Sequence, residues 1–487
     1  MSPEPHSQQH KRYMRIRVHD DNDFQRLYHL IVDYIREPEL ALSVKEFVFR
    51  CPSSIPVFCM GSPEKLDALQ AAVDARDISQ EHPISQKIKD LGIEEPERSR
   101  WVRALTWMKP EVVAARDGAD ENGVVSFFDS QNMIFAHYAA ALLLLLCPNV
   151  EILKYEEGSK VIEDILRRNN YSLLPTQHLQ KLRDVTFLPT TETILGSLEY
   201  YIHLDILAVM RLFHRLPAIE SVSVDAVGPD VRAGYVNHFP PATSNLKRIY
   251  VGHSMYGSYL IGTLIGVSKR LEEFTFTIGG RESLSGEFVH TTAHTIGKAL
   301  YSHKSSLRKI DLDIDGHILC IRPTDDDDDY DESELGKDEW YERDMEISTA
   351  PIRAENTRQY GSTIGSMHDF ESLTHLSIGI TALLGRRGWY DEGLDAPFRL
   401  GEALPKSLEY LLIRGYERGK VARYDAQIDE FLLSRQDRLP ALKGLHGIDE
   451  TIPSAKTIYG MNRNRDQLWE PEVSNEEWAE APGSTGM

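Results

Sequence analysis

The segment nearest to a catalytic motif is Val251-Gly252-His253-Ser254-Met255-Tyr256-Gly257, which follows a strand-like run and precedes a helix-like one. A G-x-S-x-G elbow in that setting presents its serine to a histidine base. It also needs a small residue two places after the nucleophile so that strand and helix can approach, and Tyr256 occupies that place. No HGGG-like oxyanion segment lies upstream. A strand-to-helix turn is therefore the first reading of Gly252 to Gly257, and a divergent serine hydrolase centred on Ser254 the alternative.

Other groupings carry less chemistry. His290 and His294 stand one helical turn apart with His303 beyond them, but a zinc hydrolase of the HExxH type needs a glutamate where Thr291 stands. Asp325 to Asp329, followed by Asp331, Glu332 and Glu334, lack the alternating ligands and central glycine of a calcium loop. Five consecutive aspartates repel one another and read as a solvated segment, in which Trp340, Tyr341 and Met345 leave room for a short partner-binding motif. Gly262 and Gly266, spaced as GxxxG in a short helix, predict close packing against a sheet. Neither GxxxxGK[ST] nor GxGxxG is present. These residues predict no catalytic site, no metal and no cofactor.

What would position any site is a recurrent apolar triplet with members at +3 and +5. It occurs at Val44/Phe47/Phe49, Val150/Leu153/Tyr155, Leu182/Val185/Phe187, Ile219/Val222/Val224 and Leu246/Ile249/Val251. It continues at Leu271/Phe274/Phe276, Leu307/Ile310/Leu312, Leu373/Leu376/Ile378, Leu408/Leu411/Ile413 and, in its weakest form, Leu442/Leu445/Gly447. The step from +3 to +5 has a period of two, which points both side chains to one face of a short strand. Helical periodicity fills the gaps: Val161, Ile162, Ile165, Leu166; Ile202, Ile206, Val209, Phe213; Leu260, Leu264, Val267; Val289, Ala293, Ile296, Leu300; and Ile428, Phe431, Leu432. Such triplets also arise in any α/β sheet, including a doubly wound one. The recurrent Ser-Leu or Asn-Leu step at Asn245, Ser306, Ser372 and Ser407 favours repeats.

In these triplets the sequence resembles leucine-rich-repeat proteins, and more narrowly the fungal F-box and leucine-rich-repeat-like proteins. The stretches that carry the resemblance are Pro38 to Phe47 and Ala141 to Leu153. It spans roughly Asp23 to Ile448, and no F-box is recognisable before Asp23. The resemblance implies an α/β leucine-rich-repeat-like solenoid, an irregular horseshoe with an N-terminal helical cap. It also implies a protein-binding scaffold, a substrate-recognition role and a ubiquitin-ligase adaptor as one partner. The family's buried Asn or Cys is replaced by Gly158, Thr190, Val227, Ser254, Gly279, Asp315, Thr381 and Tyr416, so irregular units are expected.

The expected organisation is a disordered leader over 1–21, a helical cap with the first strand over 22–130, and a solenoid over 131–460 with an acidic insertion at 322–350. A disordered tail over 461–487 follows. Residues between Phe24 and Ile31 have helical spacing, and Met133 to Cys147 read as a buried core helix, too short to cross a bilayer. The net charge of -21 argues against nucleic acid and anionic membranes as partners. Thirteen acidic and two basic residues between Asp325 and Glu346 carry -11 of it. Cys51, Cys59, Cys147 and Cys320 match no metal or disulfide spacing, and a polar N-terminus points to an intracellular, cytoplasmic or nuclear protein.

Alternation places the partner. If +3 and +5 face the core, +2, +4 and +6 face outward, which gives Arg248, Tyr250, Lys309, Asp311, His375, Tyr410, Leu412 and Arg414 as the predicted protein-binding residues. Tyrosine and arginine are the residue types that interface centres favour.

Overall fold

The computed structural model describes residues 12–50, 82–110, 113, 125–188, 201–229, 239–279, 281, 291–317, 360, 362–385, 396–454 and 477–482. The chain forms two compact units. The first is Met1–Glu192 with Arg211–Ile219 and Val473–Met487, and the second is Thr193–Met210 with Glu220–Glu472.

In the first unit, strands β1 (Tyr13–Val18), β2 (Glu46–Phe49), β3 (Ile152–Tyr155) and β4 (Asp184–Phe187) run parallel in chain order. A two-residue strand, β14 (Ala479–Glu480), pairs antiparallel with β1. The flanking helices are α1 (Asp21–Arg36), α2 (Pro38–Ala41), α3 (Pro83–Asp90), α4 (Glu97–Leu105), α5 (Val125–Leu146) and α6 (Lys160–Asn170). Helix α1 starts at a capping box, in which Asp20 accepts from the Asn22 and Asp23 amides while Asp23 accepts from Asp20. It buries Phe24, Leu27, Leu30 and Ile31, the apolar stripe of its sequence. Helix α5 is apolar on all sides, and Phe135, Ala136 and Ala139 to Leu144 are buried around its whole circumference. It is the core helix of this unit.

The second unit contains β5 (Ile202–His203), α7 (Ile206–Met210), β6 (Ser221–Asp225), β7 (Val227–Gly228), β8 (Arg248–Gly252), α8 (Ser258–Val267) and β9 (Glu273–Thr277). It continues with α9 (Ala293–Tyr301), β10 (Lys309–Asp313), β11 (His375–Gly379), α10 (Ile380–Leu384), α11 (Leu400–Ala403), β12 (Tyr410–Arg414), α12 (Ala422–Arg438) and β13 (Gly444–His446). Its sheet order is β6-β8-β9-β10-β11-β12-β13, all parallel, and β5 pairs separately with β7. In-register pairing stacks the +3 residues Val222, Ile249, Phe274, Ile310, Leu376 and Leu411 into one buried row. The +5 residues, from Val224 to Ile413, form a second row. Full burial of such a side chain contributes roughly 1.5–3 kcal/mol, and these rows hold the sheet on its helices.

The leucine-rich-repeat-like solenoid is not the fold. Twelve strands, all but β14 parallel, form open sheet layers with flanking helices, an α/β arrangement without a repeated unit. The connecting helices are too unequal for a repeat: 16 to 22 residues for α1 and α5, five and four for α10 and α11, 17 for α12. The region expected as an N-terminal helical cap with the first strand is not a separate cap: its described residues include helices α1 to α4 and strand β2, which pairs in parallel between β1 and β3 within the sheet. Tyr13 to Val18, assigned above to the leader, form β1, and Ala479–Glu480, assigned to the tail, form β14. Ile202, read as helical, pairs as a strand with Val227 instead. Gly262 packs against α9 through Ala299 and Thr295, not against the sheet. The acidic insertion at 322–350 and His290 lie outside the described residues.

Candidate functional site

Alternation along the second unit's strands leaves one face of the sheet open among the described residues. Ser221, Arg248, Glu273, Lys309, His375 and Tyr410 lie side by side in one row, and Ser223, Tyr250, Thr275, Asp311, Ser377 and Leu412 in the next. Every one of these residues is half-buried or exposed. Parallel sheets ordinarily have both faces covered by their crossovers, so an open face on a six-strand parallel run is a feature to be explained.

Three strands are tied together across this face. Arg414 on β12 donates from Nε to Ser377 Oγ of β11 at 3.1 Å and approaches Asp311 Oδ1 of β10 through Nη2 at 3.5 Å. Both ionic side chains keep about a quarter of their surface, 25% and 24%, so the pair is screened and mainly orients the guanidinium. His375 and Tyr410 stack at 4.6 Å between centroids and 24° between planes.

The two tyrosines lie beside glycines. A Cβ on Gly444 would stand 2.7 Å from Tyr410 Cδ1, and one on Gly252 would fall on the Tyr250 phenol. The missing side chains let both rings settle on the sheet while Tyr250 stays 38% and Tyr410 41% exposed. Burial, with Asp225 and Asp311 nearby, pushes the Tyr250 phenol up to about 12. It keeps its proton at neutral pH and is a hydrogen-bond donor.

All eight predicted residues are on this face, but as a band, not a pocket. Four strand steps separate Tyr250 from Tyr410, roughly 19 Å at the usual strand spacing. Arg414 meets Asp311 and His375 stacks on Tyr410 as two separate contacts, Leu412 lies in the same row as Asp311, and Arg248 and Lys309 share the row of His375 and Tyr410. The sequence reading omitted Glu273 and Thr275 of β9 and Ser377 of β11, although the same +2 and +4 rule finds them. The seats provided by Gly252 and Gly444 have no sequence signal.

Ser254 is fully buried, donates to the Gly252 carbonyl and accepts from Val227 N–H at 3.2 Å. Its hydroxyl secures the turn. The adjacent His253, at φ 43°, turns the other way and meets Asp225 Oδ1 at 3.0 Å. His294 is buried, and burial lowers its imidazole to about 4, so it packs in neutral form. His303 receives the Leu271 amide at 3.4 Å and contacts the Ile265 carbonyl at 3.1 Å, joining two turns. Among the described residues no group of three or more His, Cys, Asp or Glu is placed to hold a metal.

At the C-terminal ends of β10 and β11, Asp315 accepts from the amides of Thr381 at 2.8 Å and Ala382 at 2.9 Å. Its carboxylate lies over Gly379, where a Cβ would overlap it. Burial outweighs the two donors and pushes this carboxyl up to about 6. A raised carboxyl holds its proton more tightly in the folded chain. Its contribution to stability is therefore full below about pH 4 and is lost as pH rises through about 6. Asp315→Asn cannot titrate, and its amide oxygen can serve only one of the two N–H groups. The stability gap between wild type and this variant is expected to narrow by roughly 2 kcal/mol between pH 4 and pH 7 in urea titrations. A constant gap refutes this.

No family model and no curated protein matches the chain. Among the described residues no helix is long and apolar enough to cross a membrane.

Proposed function

We propose that this chain is a non-enzymatic binding protein and that its partner, another protein, docks on the open face of the second unit's sheet around Tyr250, Asp311, His375, Tyr410 and Arg414. The observation that carries this reading is a parallel-sheet face that is open among the described residues, on which two exposed tyrosines lie beside glycines and an arginine is oriented by Ser377. Tyrosine and arginine contribute most where they are held in place before binding, because little side-chain freedom is then lost. The burial of Ser254 and its two hydrogen bonds support the non-enzymatic part, and a buried free thiol at Cys147 is in keeping with a reducing, intracellular setting.

Photo-cross-linking from Tyr410 identifies the partner, and its affinity is then measured for the full chain. The triple variant Tyr250→Ala, Tyr410→Ala, Arg414→Ala is expected to lose at least about 2 kcal/mol of binding free energy. Its melting temperature should stay close to that of the wild type, because all three side chains are partly exposed. Unchanged affinity in a folded triple variant removes this face from the function. The narrower form of the proposal, substrate recognition for a ubiquitin ligase, is tested by whether an F-box-binding adaptor co-purifies with the full chain.

A further inference from the structure

Strand β1 is the edge of the parallel run in the first unit, and the C-terminal segment lies along it. The ladder is minimal: Tyr13 faces Glu480, Arg15 faces Ala479, and the Ala481 amide reaches the Arg12 carbonyl at 2.8 Å. Side chains supply the rest. Trp478 donates from Nε1 to Asp23 Oδ1 at 2.7 Å and stands edge-on to Tyr13 at 4.9 Å. The Glu477 carboxylate accepts from Arg17 Nη1 at 3.0 Å, and its carbonyl accepts from Arg15 Nη1 at 3.4 Å.

The receiving side is set independently of the ligand. Asp23 is 1% exposed and is fixed by Arg17 Nε at 3.0 Å, Arg17 Nη2 at 3.2 Å, and the amides of His19 and Asp20. An indole acceptor, two arginines at i and i+2, and a strand edge covered only by the two-residue β14 together specify an extended peptide with an acidic residue just before a tryptophan. The segment found there is Glu477-Trp478-Ala479-Glu480, preceded in the sequence by Glu476. Of the six tryptophans in the chain one other has this setting: Asp338-Glu339-Trp340-Tyr341-Glu342, in the acidic segment. Ala479 is only half-buried, so its place tolerates the larger tyrosine.

We propose that the β1 edge is a docking site for segments of the form acid-acid-Trp-x-Glu, and that Asp338–Glu342 is its second occupant, in competition with the C-terminal strand. The net -11 of the surrounding segment complements Arg15 and Arg17, so docking weakens as salt rises.

The test is a fluorescence-polarisation titration of a labelled peptide spanning residues 334–346 with the full chain. The C-terminal strand competes at the high effective concentration of a tethered ligand, so Trp478→Ala is expected to bind the peptide about tenfold more tightly than wild type. A peptide carrying Trp340→Ala is expected to lose that binding. Glu477→Lys removes an exposed ligand-side carboxylate without disturbing buried surface, and must also raise peptide affinity, so the test does not depend on the folding of Trp478→Ala. Equal affinity of both variants and wild type for the peptide, or undiminished binding of the Trp340→Ala peptide, overturns the proposal.

Discussion

Gly297→Ala is expected to destabilise the second unit by about 3 kcal/mol, whereas Gly262→Ala leaves it unchanged or stabilises it by up to about 1 kcal/mol. Both glycines lie inside helices, α9 and α8, where alanine is the better helix former. What differs is the space. A Cβ on Gly262 would meet Ala299 Cβ at 3.7 Å and Thr295 Cγ2 at 3.8 Å, ordinary contact distances. A Cβ on Gly297 would overlap the Ile364 carbonyl oxygen and stand 2.7 Å from its carbon.

That carbonyl belongs to a segment with no freedom to retreat. The Ile364 amide donates to the Ala382 carbonyl at 2.9 Å, and the Met367 amide to the Ala403 carbonyl at 2.8 Å. Thr363 Oγ1 receives the Gly365 amide at 3.0 Å, and Gly365 sits at φ 93°. Moving the segment breaks these bonds, so overlap outweighs helix propensity at Gly297. Urea titration followed by circular dichroism decides it, and equal midpoints for wild type and Gly297→Ala would show that the segment yields.

Much of this sheet could be read in advance because burial of one face imposes a period of two. Ile249/Val251 and Leu376/Ile378 identify their strands from sequence, and in-register parallel pairing then fixes which residues share the opposite face. The triplet says nothing about the connection, however. Equivalent strand patterns precede a 17-residue helix at β12 and a five-residue helix at β11, so a repeat of strands does not imply a repeat of whole units. Strand β1 has its own alternation, Ile16 and Val18 buried and Arg15 and Arg17 on the other face, obscured by the basic residues around it. Strand β14 is too short for any period. At Ile202 the pattern was helical, but pairing with Val227 overrides it. Among functional features, side-chain types on the open face were legible, but the contacts that orient them were not. Arg414 meets Asp311 across 103 positions of sequence, and the resting places of Tyr250 and Tyr410 depend on glycines that leave no periodic trace.

Asp23→Ala is expected to lower the stability of the first unit by about 3–5 kcal/mol, the range seen when one member of a buried ion pair is removed. The carboxylate of Asp23 accepts five hydrogen bonds: two from Arg17, two from the His19 and Asp20 amides just before α1, and one from the Trp478 indole. Alanine strands all five donors at once. The Arg17 side chain is 17% exposed and keeps Asp20 at 3.2 Å and Glu477 at 3.0 Å as partners, so its charge is only partly uncompensated. The two amides are half-buried, so each costs at most about the 1–3 kcal/mol of a fully buried unsatisfied N–H. Removing both charges separates these contributions. The pair Arg17→Met, Asp23→Leu is expected to recover the part due to the unpaired guanidinium but not the part due to the amides, and so to fall between wild type and Asp23→Ala. Urea titration of the three chains, with hydrogen exchange of the His19 and Asp20 amides, measures both parts. A loss below about 1 kcal/mol for Asp23→Ala would place this carboxylate with exposed ion pairs, and the start of α1 would then be held by Asp20 alone.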